Sequence, residues 1–112
     1  MTKINTTKQY SVDRVEATTI IEKALRAAVI SEGWEYGGSW KREGNTFYIE
    51  ADPLGAETRG DARKLELTVE ATSDGCTVAV KGKVRGFGPL RKKSLTQFIN
   101  EALDVIDHSM GS

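Results

Sequence analysis

The stretch LELTVEATSDGCTVAVKGKV, from Leu65 to Val84, decides the fold. Leu65, Leu67, Val69 and Ala71 alternate with Glu66, Thr68, Glu70 and Thr72; beyond Asp74-Gly75, Cys76, Val78, Val80 and Val84 alternate with Thr77, Lys81, Lys83 and Arg85. Successive side chains of a strand point to opposite faces, so each half has one apolar face and one polar face. Asp-Gly suits a type I′ turn, whose central residues both need positive φ. Closing that turn between Ser73 and Cys76 sets Val69 opposite Val80, Glu66 opposite Lys83 and Thr68 opposite Lys81. An opposed Glu–Lys pair adds about 0.2–1 kcal/mol. The expectation is an antiparallel hairpin with one apolar side.

Upstream, Trp34, Tyr36, Gly38 and Trp40 alternate with polar residues or glycine, and Phe47, Ile49 and Ala51 do so again. A turn at Glu43-Gly44 would pair Trp40 with Phe47 and Gly38 with Ile49, which puts Trp34, Tyr36, Trp40 and Phe47 on one side. Gly37-Gly38 marks a bulge, a bend or a close approach of another element. The polar segment from Lys3 to Ser11, with Ile4 and Tyr10 as its apolar members, reads as an edge strand.

Two helices flank the hairpins. Asp13 and Glu16 have capping-box spacing, Val12 is placed to staple onto Ala17, and Ala17, Ile20, Ile21, Ala24, Leu25 and Ala28 form one apolar stripe that Gly33 would end. At the other end Leu95, Phe98, Ile99, Ala102, Leu103 and Ile106 recur at helical spacing, with Ser94 and Gln97 as a candidate capping box and an earlier start near Leu90 as the alternative. The order is β-α-β-β-β-β-α. It predicts an α+β two-layer sandwich, an antiparallel sheet of four or five strands with two helices on one face. In topology alone this resembles the helix-grip and TATA-box-binding-protein-like arrangements, and topology does not specify function.

The chain has 112 residues, enough for one domain with an adequate core; residues 1–109 read as that domain and 110–112 as a flexible tail. Sixteen basic residues balance sixteen acidic ones, which argues against a surface wrapped everywhere in nucleic acid but allows a local basic patch. Cys76 is the single cysteine, so no internal disulfide and no Cys-rich metal site can form. No apolar run has signal-peptide or membrane-spanning length, and a cytoplasmic location is the expectation.

Little here suggests catalysis. His108 is the lone histidine and falls near a helix end, where its charged form suits the dipole. Cys76 has inward parity and reads as a small apolar residue. Glu35, Glu50, Glu66 and Glu70 share the solvated sheet face, which supplies no desolvation to split paired pKa values. Gly86-Phe87-Gly88 breaks off at Pro89 and lacks the third glycine of a phosphate loop. No catalytic residue, cofactor or metal ligand is assigned.

The sharpest feature is electrostatic. Between Gly75 and Asn100 stand six basic residues and no acidic one, leaving the rest of the chain at −6. Lys81, Lys83, Arg85, Arg91, Lys92 and Lys93, with Phe87 among them, form a candidate basic stripe for an anionic macromolecule, nucleic acid or protein. The bland reading has Lys81 and Lys83 neutralising Glu66 and Glu70 while Arg91 to Lys93 are merely solvated. The alternative function is a helix-grip-like pocket for an apolar or aromatic small molecule, lined by Trp34, Tyr36, Trp40, Phe47 and Phe98. The twelve-residue connector from Asp52 to Arg63 is long enough to contact a partner, with a mobile segment of no further role as the alternative. The polar first strand could pair with a second copy of the chain to form a homodimer.

Overall fold

The computed structural model describes residues 1–30, 39–51 and 63–111. Within them the chain runs β1 (Thr2–Tyr10), α1 (Arg14–Ile30), β2 (Ser39–Glu43), β3 (Thr46–Ala51), β4 (Arg63–Thr72), β5 (Gly75–Val84) and α2 (Pro89–Ser109). The five strands form one antiparallel sheet in the order β1-β5-β4-β3-β2. The fold is the α+β sandwich that the alternation implied, and the polar first segment is a full edge strand against β5.

Both helices cover one face because only one face is apolar. Phe47, Ile49, Leu65, Leu67, Val69, Cys76, Val78, Val80 and Val84 point inward and are buried with Ala17, Ile21 and Leu25 of α1 and Leu95, Phe98, Ile99, Ala102 and Ile106 of α2 in one cluster. The largest of these side chains each contribute about 1.5–3 kcal/mol on leaving water. At Gly82 side chains of α2 press close against the sheet. A Cβ built there would sit 2.9 Å from Ile99 Cδ1 and 3.1 Å from Leu95 Cδ1. The gap in the β5 alternation is therefore a seat for the helix.

The Asp13 carboxylate accepts the Glu16 backbone N–H at 3.0 Å, and the Ala17 N–H meets the Asp13 carbonyl, so α1 starts where its cap predicts. Helix α2 starts earlier than a Ser94–Gln97 box would place it. Pro89 occupies the first turn after Gly88, where its missing N–H costs nothing and its φ suits a helix. Ser94 lies inside the helix. At the other end Met110 is half-buried against the core and its N–H reaches the Ile106 carbonyl at 2.9 Å, so this residue of the expected tail is tied to the helix.

Both hairpin turns differ from expectation by the same step. The β2–β3 turn is Gly44-Asn45, not Glu43-Gly44, and Trp40 pairs with Ile49. Gly44 has φ +61 while Asn45 has none of the positive-φ character, the pattern of a turn with glycine first. The β4–β5 turn is Ser73-Asp74, and Val69 pairs with Val78. Gly75 serves another purpose than a primed turn: its φ is +150 and a Cβ there would collide with the Tyr10 carbonyl oxygen. The end of β1 passes where a side chain would be. Each turn moves by one residue, later in the first hairpin and earlier in the second, which slides the pairing by two, so every side chain keeps its face. Gly33 to Gly38, Trp34 and Tyr36 among them, and the connector 52–62 lie outside the described residues.

Candidate functional site

The face without helices is ordered into cross-strand rows. One row reads Lys3, Lys83, Lys64 and Glu50 across β1, β5, β4 and β3. The next reads Asn5, Lys81, Glu66, Tyr48 and Lys41. Together these two rows line a hollow of about 660 Å³ open to solvent. The two-residue correction in register decides its charge. Glu66 still opposes a lysine, Lys81, but Lys83 does not oppose Glu66. It stands between Lys3 and Lys64, three like charges side by side. Directly opposed like charges destabilise a sheet.

Few of these charges are paired. The ion pairs among the described residues are Lys8–Asp107, Arg26–Glu22, Lys41–Glu43 and Arg42–Glu22. None engages Lys3, Lys64, Lys81 or Lys83. Lys41, besides its ion pair with Glu43, lies 5.3 Å from the centre of the Tyr48 ring, so that ring has a cation over it already.

The expected stripe is divided between layers. Lys81 and Lys83 stand on the open face of β5, whereas Arg91, Lys92 and Lys93 belong to the first turns of α2, which packs on the other face. Arg85, Lys92, Lys93 and Phe87 are exposed, while Arg91 is half-buried and folds back over Gly86, its Nε 3.3 Å from where a Cβ would be. Sequence reasoning missed Lys3 and Lys64. Their signal was the edge strand itself: once β1 pairs with β5, Lys3 must share a row with Lys83.

Of the residues expected to line an apolar pocket, Phe47, Phe98 and Trp40 pack in or against the core, and Trp34 and Tyr36 lie outside the described residues. Phe47 and Phe98 have no exposure, and Trp40 is half-buried with its ring 6.3 Å from that of Phe47. Arg63, inward-facing at the start of β4, sets its guanidinium 4.5 Å from the Phe98 ring centre.

A polar cluster ties the far end of α2 to β1. Asp107 accepts from the Tyr10 hydroxyl at 2.5 Å and from Lys8 Nζ at 2.7 Å. Burial pushes the Tyr10 hydroxyl up, and its hydrogen bond to Asp107 adds to that. Burial alone would raise the Asp107 carboxyl, but the bonds from Lys8 and Tyr10 outweigh it and hold the group below its ordinary value. Cys76 is 1% exposed and its thiol is raised by burial and by the nearby Asp13 charge, the reverse of an activated thiolate. His108 is exposed in the last turn of α2. Among the described residues no group of three or more His, Cys, Asp and Glu is arranged to hold a metal, and no helix is long and apolar enough to cross a membrane.

Solved structures resemble the chain, and two of them can be named. Protein MLL2253 from Mesorhizobium loti superposes with a TM-score of 0.62 at 10% identity, covering 98% of this chain and 97% of that one. Protein SA2116 of unknown function from Staphylococcus aureus gives 0.49 at 11% identity over 98% and 93%. No family model matches, and no curated protein sequence matches. At such identity the likeness to MLL2253 is one of fold: the same sandwich of sheet and helices carries a different sequence.

Proposed function

We propose that the protein is a non-enzymatic binding domain that holds an anionic macromolecule against the open face of its sheet. The observation that carries this reading is the row Lys3, Lys83 and Lys64, with Lys81 beside it in a hollow spanning the strands. A fold selected for stability alone gains nothing from three opposed lysines, whereas an approaching polyanion converts their repulsion into attraction. The buried, packed state of Phe47 and Phe98 weighs against the apolar-pocket alternative.

The test is fluorescence anisotropy with a labelled short single-stranded DNA and, separately, labelled polyglutamate. Binding to at least one probe is expected, falling steeply between about 50 and 200 mM salt. Replacing Lys64, Lys81 and Lys83 together by Gln should weaken it at least about tenfold and, for DNA, reduce the slope of log affinity against log salt by about 2. Circular dichroism checks that the variant folds. If neither probe binds, or the triple variant binds as tightly as the parent, the reading is wrong.

A further inference from the structure

We infer that the β5–α2 connection is a docking tip for the surface of an anionic lipid bilayer. The inference concerns other residues than the open-face hollow and does not depend on it. Four large apolar side chains stand exposed among the described residues: Met1, Val15, Phe87 and Leu90. Phe87 and Leu90 are both 80% exposed and lie three positions apart on one connection. The hydroxyl of Thr2 donates to the Gly86 carbonyl at 2.9 Å and ties the start of β1 to this turn.

The tip is built rather than frayed. Gly86 has φ +91 and Gly88 φ +111, so the chain turns sharply on both sides of Phe87 in a conformation that only glycine adopts without strain. The Thr2 bond fixes Gly86, Arg91 packs over it, and Pro89 starts the helix at once. Phe87 is thereby held outward at the end of the molecule, and Leu90 leaves the helix on the side away from Leu95, which is fully buried.

What surrounds the two side chains identifies the occupant. Arg85, Lys92 and Lys93, next to them along the chain, are exposed. Lysines in the first turns of α2 oppose the helix dipole, and no acidic residue occurs in that first turn. A small apolar tip flanked by cations fits the boundary between acyl chains and anionic headgroups, where apolar side chains enter and lysines stay at headgroup level.

Co-sedimentation with vesicles tests this. The protein should pellet with phosphatidylcholine vesicles containing about a third phosphatidylglycerol and stay in solution with phosphatidylcholine alone, since a surface lysine contributes only beside anionic lipid. Replacing Phe87 and Leu90 together by Ser should lower the partition coefficient at least about tenfold. Replacing Lys92 and Lys93 by Gln should do likewise. Replacing Lys64, Lys81 and Lys83 should leave most of the partition intact, which separates this tip from the hollow. All these side chains are exposed or on an open face, so the variants fold; circular dichroism confirms it. Absence of binding to the anionic vesicles overturns the proposal, as does binding that the Phe87 and Leu90 replacement leaves unchanged. A dimer in sedimentation velocity that the same replacement dissolves also overturns it, because the tip then serves a second copy of the chain.

Discussion

Lys83 of β5 stands directly opposite Lys64 of β4 on the face of the sheet that carries no helix. With Lys3 on its other side, Lys83 pays a repulsion that none of the described ion pairs relieves. The fold does not require lysine at this position, since the site faces solvent and a β-branched polar residue suits a strand better.

Replacing Lys83 by Thr should therefore stabilise the protein by a few tenths to about 1 kcal/mol at low ionic strength. The gain should shrink toward the β-propensity difference at about 1 M salt, where the Debye length falls to about 3 Å. Urea unfolding at the two salt concentrations measures it. A variant less stable than the parent at low salt would show that the lysines do not repel one another as their pairing implies. The same substitution should weaken binding of the polyanion probes, so stability and affinity move in opposite directions.

Gly82 gives a second, steric prediction. The three atoms nearest a Cβ at this position are the tips of Ile99, Leu95 and Leu65, at 2.9, 3.1 and 3.2 Å. Those tips can turn aside for one methyl group, and alanine also restricts the unfolded chain. Gly82→Ala should thus change stability by less than about 1 kcal/mol. Gly82→Val adds branches that press on α2, and a destabilisation of about 1–3 kcal/mol is expected. Thermal unfolding of the pair decides the matter. Equal stability of the Ala and Val variants would mean that α2 does not rest on this glycine.

These two positions also show how far the amino-acid order could be read. Alternation exposed which face of each strand is apolar, and helical spacing exposed the stripes of α1 and α2, because burial acts on every residue of an element and leaves a repeated mark. Registers were a different matter. A shift of two residues leaves parity untouched, so the pattern around Val69 was equally content opposite Val80 or Val78. Turn chemistry had to choose, and there Gly75 misled: its glycine answers to the Tyr10 backbone from a strand far away in the chain. The candidate site depended on that shift. Lys81 and Lys83 were visible as a basic pair, but the row with Lys3 and Lys64 exists only through long-range pairing, which no local pattern records.

The Arg63–Phe98 contact offers a third test. Phe98 is fully buried at the middle of the core cluster, and the guanidinium of Arg63 caps its ring at 4.5 Å. Phe98→Ala should cost about 3–5 kcal/mol, whereas Arg63→Ala should cost about 1–2 kcal/mol through the lost cation–ring contact and lost stem packing. A double-mutant cycle should show that most of the Arg63 effect vanishes once the ring is gone. Additive effects would place the contribution of Arg63 elsewhere.

The Lys8, Tyr10 and Asp107 cluster makes stability depend on pH in two windows. Asp107 is held below its ordinary value, so the folded chain binds that proton less tightly than the unfolded chain. Its contribution is present above the unfolded carboxylate value of about 4 and is lost as pH falls through the lower folded value. Tyr10 is raised, so its contribution is present below about 10 and is lost as pH climbs beyond it. Asp107→Asn should cost about 1 kcal/mol at neutral pH, the scale of a partly exposed charged hydrogen bond and ion pair. The deficit should begin to narrow below about pH 4, where the unfolded parent takes up the proton, and close as pH falls through the lower folded value. Tyr10→Phe should flatten the fall in stability above about pH 10. Urea unfolding across pH reads both. A deficit for Asp107→Asn that stays constant into acid would show that Asp107 acts by shape, and that its charge does not tie α2 to β1.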